Sequence, residues 1–142
     1  MTGADVLARR ERVSAVGKFG LSVEIVVAYA RVQGLLRRRS LPAATAALRR
    51  PSSTHYRSTE DAYRIGVRLG RAVTRVLAVL PRDPRCLARS LVLTALLARR
   101  GIPATLVIGV RPEPFAAHAW VEHDGRPLLQ PATEPFERLL EV

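Results

Sequence analysis

Residues 86–101 read CLARSLVLTALLARRG, 103–110 read PATLVIGV and 116–125 read AAHAWVEHDG. The first stretch is apolar over about four turns and closes on a glycine, which predicts a helix ended by Gly101 in a left-handed cap. Leu87, Leu91, Ala95 and Leu97 supply its buried side. In PRDPRC just upstream, Asp83 is a good N-cap and Pro84 suits the first helical position, so Cys86 falls in the first turn. Beyond Gly101 the helical period gives way to short runs. PATLVIGV predicts a strand, HAWVEHDG a second strand with a turn at Asp124-Gly125, and RPLLQP a third. The tail TEPFERLLEV reads as a loop followed by a short helical or extended end.

Upstream, the pattern is helical. Residues 5–16 predict a short polar helix. From Phe19 to Arg38, Leu21, Ile25, Tyr29, Val32 and Leu36 recur at helical spacing. Leu41-Pro42 breaks that helix, and Ala43–Arg49 adds one or two turns. PSSTHYRST is a loop by composition. Ser58 or Thr59 caps a further helix over about Glu60–Leu80, with Glu60 and Asp61 in its first turn, where negative charge is favoured. Ala62, Ile65, Leu69, Ala72, Val76 and Val79 are expected to form its buried face. Helices followed by an antiparallel meander make an α+β domain with the Cys86 helix packed on a small sheet. One domain is expected over 1–142, with a helical N-terminal part at 1–50 and the core at 58–142.

The formal charge is +11 on 142 residues, and Lys18 is the only lysine. The arginines are scattered, with small clusters at Arg37–Arg39 and Arg49–Arg50. Three Phe, three Tyr and one Trp leave little to stack on bases. This pattern reads as solvated faces rather than a nucleic-acid surface. The 48% hydrophobic content fits a globular chain, one long enough to bury roughly 68–70% of its unfolded surface. A single cysteine forms no internal disulfide and fits a reducing, cytoplasmic setting. The N-terminus lacks the features of a signal peptide. Leu21–Leu36 contains Glu24, Arg31 and Gln33 and falls short of the roughly 20 apolar residues a membrane span needs, so no stable membrane insertion is expected. The residues call for no metal or cofactor.

Cys86 has the greatest chemical potential in the chain. Backbone N–H groups at a helix start face the sulfur, and the helix dipole favours the thiolate, which is the reactive form. Arg85 and Arg89 add to this if they face it. His118 follows 32 residues later, on a strand whose alternation sets His118, Trp120 and Glu122 on one face and Ala117, Ala119 and Val121 on the other. An imidazole beside the thiol takes its proton and later protonates the leaving amine. A third group must orient the ring, and Asp124, Gln130 and Glu134 are the candidates. His123 reads as a surface residue, and His55 has no evident partner. Trp120 either walls the cleft or fills the core, with core favoured. Arg111 and Phe115 sit where a substrate could touch them.

The ordered set CL.RSL, RRG, IGVR, PF.AHAWVE and DGRP resembles the stand-alone cysteine leader peptidases of lasso-peptide biosynthesis, within the transglutaminase-like, papain-related superfamily. The resemblance covers about residues 60–131, and the helical half more weakly. It implies a transglutaminase/papain-like core with Cys86 as nucleophile and His118 as base. It implies removal of a leader from a ribosomally made precursor peptide, whose core a separate ATP-using cyclase then closes. It also implies a leader-recognition protein of winged-helix type on another polypeptide, because the helical stretch of about 85 residues before Cys86 leaves no room for one. The N-terminal helices are then expected to dock the leader and its carrier. The family commonly places an aspartate twelve residues after the histidine, where this chain has Gln130. A glutamine carbonyl still accepts from the imidazole but brings no charge, so slower turnover or a displaced pH optimum is expected.

Two other functions compete. A transglutaminase-like amide acyltransferase would use the same site and hand the acyl group to an amine. A non-catalytic basic binding module is prompted by the charge and the missing aspartate, and it predicts salt-sensitive binding that is indifferent to Cys86.

Overall fold

The computed structural model describes residues 3–49, 58–80, 86–129 and 136–142, with side chains from residue 15 onward. Four helices precede a four-stranded sheet: α1 (Gly3–Arg38), α2 (Leu41–Leu48), α3 (Thr59–Ala78), α4 (Cys86–Arg99), β1 (Thr105–Arg111), β2 (Ala116–His123), β3 (Arg126–Pro127) and β4 (Glu137–Glu141). The sheet order is β3-β2-β1-β4 and every pairing is antiparallel. The α+β architecture expected from the sequence is present.

The helix starts and stops follow the local signals. The Ser58 hydroxyl accepts from the Asp61 N–H at 3.1 Å, capping α3. Pro42 lies in the first turn of α2. Gly101 takes φ 69°, and the Ile102 N–H closes on the Leu97 carbonyl at 3.0 Å. Asp124 and Gly125 both take positive φ in the β2–β3 turn, as a two-residue hairpin requires.

Other expectations are corrected. The short polar helix and the one after it are a single helix, α1. No proline interrupts residues 3–38, and the glycines at 17 and 20 cost only about 1 kcal/mol each. The window Ala15–Arg38 is, by length and composition alone, apolar enough to cross a membrane, with mean hydropathy 1.4. That window starts earlier than the apolar stretch weighed above. Ile25, Ala28 and Val32 face the core, while Val16, Phe19, Val23, Val26 and Val27 lie exposed on the other side. Arg100 grips Glu24 of α1 through two hydrogen bonds of 3.0 and 3.1 Å. That contact holds the Glu24 carboxyl below the usual carboxylate range. The third strand is shorter than RPLLQP, whereas the tail takes the extended one of its two expected forms as β4, on the far side of β1 from β2.

The buried face of α3 is rotated from the expected one. Ala62, Gly66, Leu69, Gly70, Val73 and Leu77 are buried, whereas Ile65 and Val79 are exposed. The cause is the segment after β3. Leu128 and Leu129 lie against the two glycines, and a Cβ on Gly66 would stand 2.8 Å from a Leu128 methyl. A reading that ranks large apolar side chains misses a stripe whose purpose is to have none.

α4 is buried nearly all round rather than along one side. Ala88 and every residue from Ser90 to Leu97 are inaccessible, packed among α1, α2, α3 and the sheet. Leu106 and Val121 face α4 as opposed residues of β1 and β2, and so do Ile108 and Ala119.

A methyl at Gly70 would meet the Leu128 carbonyl oxygen at 2.7 Å. Main chain cannot rotate aside as a side-chain tip does. We expect Gly70→Ala to lose about 1–3 kcal/mol to overpacking, which outweighs the ~1 kcal/mol helix-propensity gain. Gly66→Ala should be near neutral, because only the tip of Leu128 must move. Urea denaturation of the two variants makes the comparison.

Candidate active site

Cys86 is the first residue of α4, half-buried and not in a disulfide. The N–H groups of a first turn have no intrahelical acceptor and favour negative charge at the sulfur or at an oxygen bonded near it. Asp83, Pro84 and Arg85, which were expected to build this start, lie outside the described residues. Arg89 is three residues on, one turn deeper on the same side of the helix.

Cys86 and Arg89 line a cavity of about 960 Å³. One wall is α3, through Tyr63, Gly70, Arg71 and Arg75. Leu128 and Leu129 form another, and β2 contributes His118 and Ala119. Cys86 and His118, 32 residues apart in sequence, therefore line one cavity. No hydrogen bond joins them among the described residues; catalytic contacts are often long in unliganded enzymes and tighten with substrate.

The alternation expected for β2 is present. Ala119 and Val121 face α4, and His118, Trp120 and Glu122 share the other face. The His118 ring stacks on Trp120 with centroids 5.9 Å apart and tilts against Phe136 at 5.6 Å. Its Nε2 is buried and, among the described residues, has no hydrogen-bond partner. Burial pushes its pKa below the ordinary 6.5, since removal from water disfavours the imidazolium. Trp120 is anchored in turn. Its Nε1–H donates to Glu122 Oε1 at 2.8 Å, and Arg138 of β4 donates to the same oxygen at 2.8 Å. Gly109 of β1 admits the indole, because a Cβ there would stand 2.9 Å from the ring. From the other side, the buried Ser90 hydroxyl donates to the Ala119 carbonyl at 3.0 Å, tying α4 to β2 beside His118.

The remaining sequence candidates divide. Gln130 and Glu134, proposed to orient the imidazole, lie outside the described residues, as does His55. Asp124 stands at the opposite end of β2, six residues or about 20 Å from His118 at ~3.3 Å per residue, too far to orient it. Arg111, Phe115 and Trp120 do not line the cavity. The Arg111 Nε donates to the Pro114 carbonyl at 3.3 Å and its guanidinium lies over Phe136. Phe115 is 78% exposed on the β1–β2 turn. Trp120 is buried beneath the imidazole. His123, expected at the surface, is 2% exposed, with Nδ1 at 2.7 Å from the Pro103 carbonyl. The sequence reading missed Phe136, Arg138, Ser90 and the α3 wall. Only Glu122 carried a visible signal, a carboxylate in phase with His118 and Trp120.

A central helix that carries a lone cysteine, laid on a small antiparallel sheet whose histidine lines the same cavity, is the arrangement of a transglutaminase-like core. The chain belongs to the transglutaminase-like superfamily, whose model matches residues 19–141 and whose members are typically cysteine-dependent enzymes. No curated protein and no solved structure matches it.

Two outcomes follow from this geometry. Ser90→Ala removes a buried hydrogen bond and should lower stability by about 1–2 kcal/mol, measurable by thermal or urea unfolding. A base works in its neutral form, and desolvation preserves that form to lower pH. The acid limb of kcat/KM should therefore fall below pH 6.5; a limb at or above that value would contradict the role of His118 as base.

Proposed function

We propose that the protein is a cysteine peptidase that removes the leader from a ribosomally synthesised precursor peptide, as in lasso-peptide maturation, with a separate leader-binding protein delivering the substrate. The observation that carries this reading is the shared cavity of Cys86 and His118, with an imidazole nitrogen that has no partner among the described residues. The ordered motif set from Cys86 to Pro127 narrows it to leader removal. The exposed apolar side of α1 supports docking of the leader and its carrier there, in a compartment where the thiol stays reduced.

The chemistry is acyl transfer to water. His118 takes the Cys86 proton and the sulfur attacks the scissile carbonyl carbon. The oxyanion is held by the N–H groups at the start of α4. As the C–N bond breaks, the imidazolium gives its proton to the departing core amine, leaving a thioester to the leader. His118 then takes a proton from water, hydroxide adds to the thioester, and the C–S bond breaks to release the leader carboxylate and the thiol.

The test is incubation with a lasso-type precursor peptide and a leader-binding protein, followed by mass spectrometry. Cys86→Ala should abolish processing, and His118→Ala should slow it by about 10²–10⁴-fold. Products that sum to the precursor plus one water establish hydrolysis. A product carrying an added amine would establish the acyltransferase reaction of the same site instead. Undiminished processing by Cys86→Ala overturns the proposal.

A further inference from the structure

The cavity is markedly cationic. Arg71 and Arg75 of α3 and Arg89 of α4 line it together with the thiol, and among the described residues no lining side chain is acidic. Arg89 is already engaged, whereas Arg71 and Arg75 hold no hydrogen bond or ion pair among the described residues. These two lie one turn apart on the same side of α3, about 6 Å along its axis. Alternate side chains of an extended peptide repeat at nearly the same interval, ~6.6 Å. A strand-like substrate running along α3 from the sulfur therefore presents alternate side chains to the two guanidiniums in turn, and guanidinium recognises carboxylate through paired donors.

We infer that the substrate of this site is an acidic peptide, with Asp or Glu at alternate positions of the segment flanking the scissile bond and Arg71 and Arg75 as its specificity determinants. The inference rests on the reading of Cys86 as the nucleophile. It adds the chemical class of what that nucleophile acts upon. Arginines simply solvated at the surface would show no such selectivity at the thiol.

The test uses blocked octapeptides of one apolar sequence with Glu, Gln or Lys at two alternate positions. Each is measured for how far it protects Cys86 of the full chain from iodoacetamide, read by intact mass. Protection reports occupancy at the thiol and ignores acidic peptides bound elsewhere on a chain of charge +11. The Glu peptide should protect at a concentration at least about tenfold below the Gln peptide, and the Lys peptide least. The Glu advantage should shrink with added salt and vanish in R71Q/R75Q, with the Gln peptide as internal reference. Equal protection by Glu and Gln in the unaltered protein overturns the inference whatever the variant does. A Glu advantage that persists in R71Q/R75Q overturns the assignment to these arginines. Failure of the parent reading looks different: Cys86 alkylates no faster than a free thiol and His118→Ala leaves its rate unchanged, and then both readings fall.

Discussion

The side chains from Ser90 to Leu97 meet protein in every direction, so α4 has one position open to it. Each fully buried leucine or valine contributes roughly 1.5–3 kcal/mol against exposure, and any slide or rotation of the helix would surrender several at once. This immobility is inherited by Cys86 at the helix's first residue. A sulfur at the end of a clamped rod is set by the core rather than by a loop. The same rod is stitched to β2 through Ser90 and Ala119, next to the histidine.

The histidine is held differently. Its ring rests on Trp120 and Phe136, and Trp120 is tied through Glu122 to Arg138. The surroundings that fix the ring are mostly apolar, and they exclude the water that would stabilise an imidazolium. One arrangement therefore serves both orientation and tuning, leaving an imidazole biased towards its neutral form beside a cavity. Against that neutral wall, the arginines of α3 form the cationic side of the same space.

Much of this is legible in the sequence. The Cys86 helix, its Gly101 stop, the two long strands, the Asp124-Gly125 turn and the shared face of His118 and Trp120 all follow from period and turn chemistry, which act over a few residues. What escaped the reading depends on contacts distant in sequence. The glycine stripe of α3 has meaning only once Leu128 lies on it. His123 looks like a turn residue until Pro103 is set beside it. The tail looked undecided because ERLLE is ordinary in helix and strand alike, and only the open edge of β1 selects strand. The roles of Phe136 and Arg138 were invisible for the same reason.

That edge pairing has a consequence in time. Chains are made from the N-terminus onward at roughly 5–20 residues per second. The Cys86 helix and the His118 strand are complete by His123, but Phe136 and Arg138 arrive with β4. A nascent polypeptide therefore has its thiol and its imidazole before it has the bracing that seats the ring.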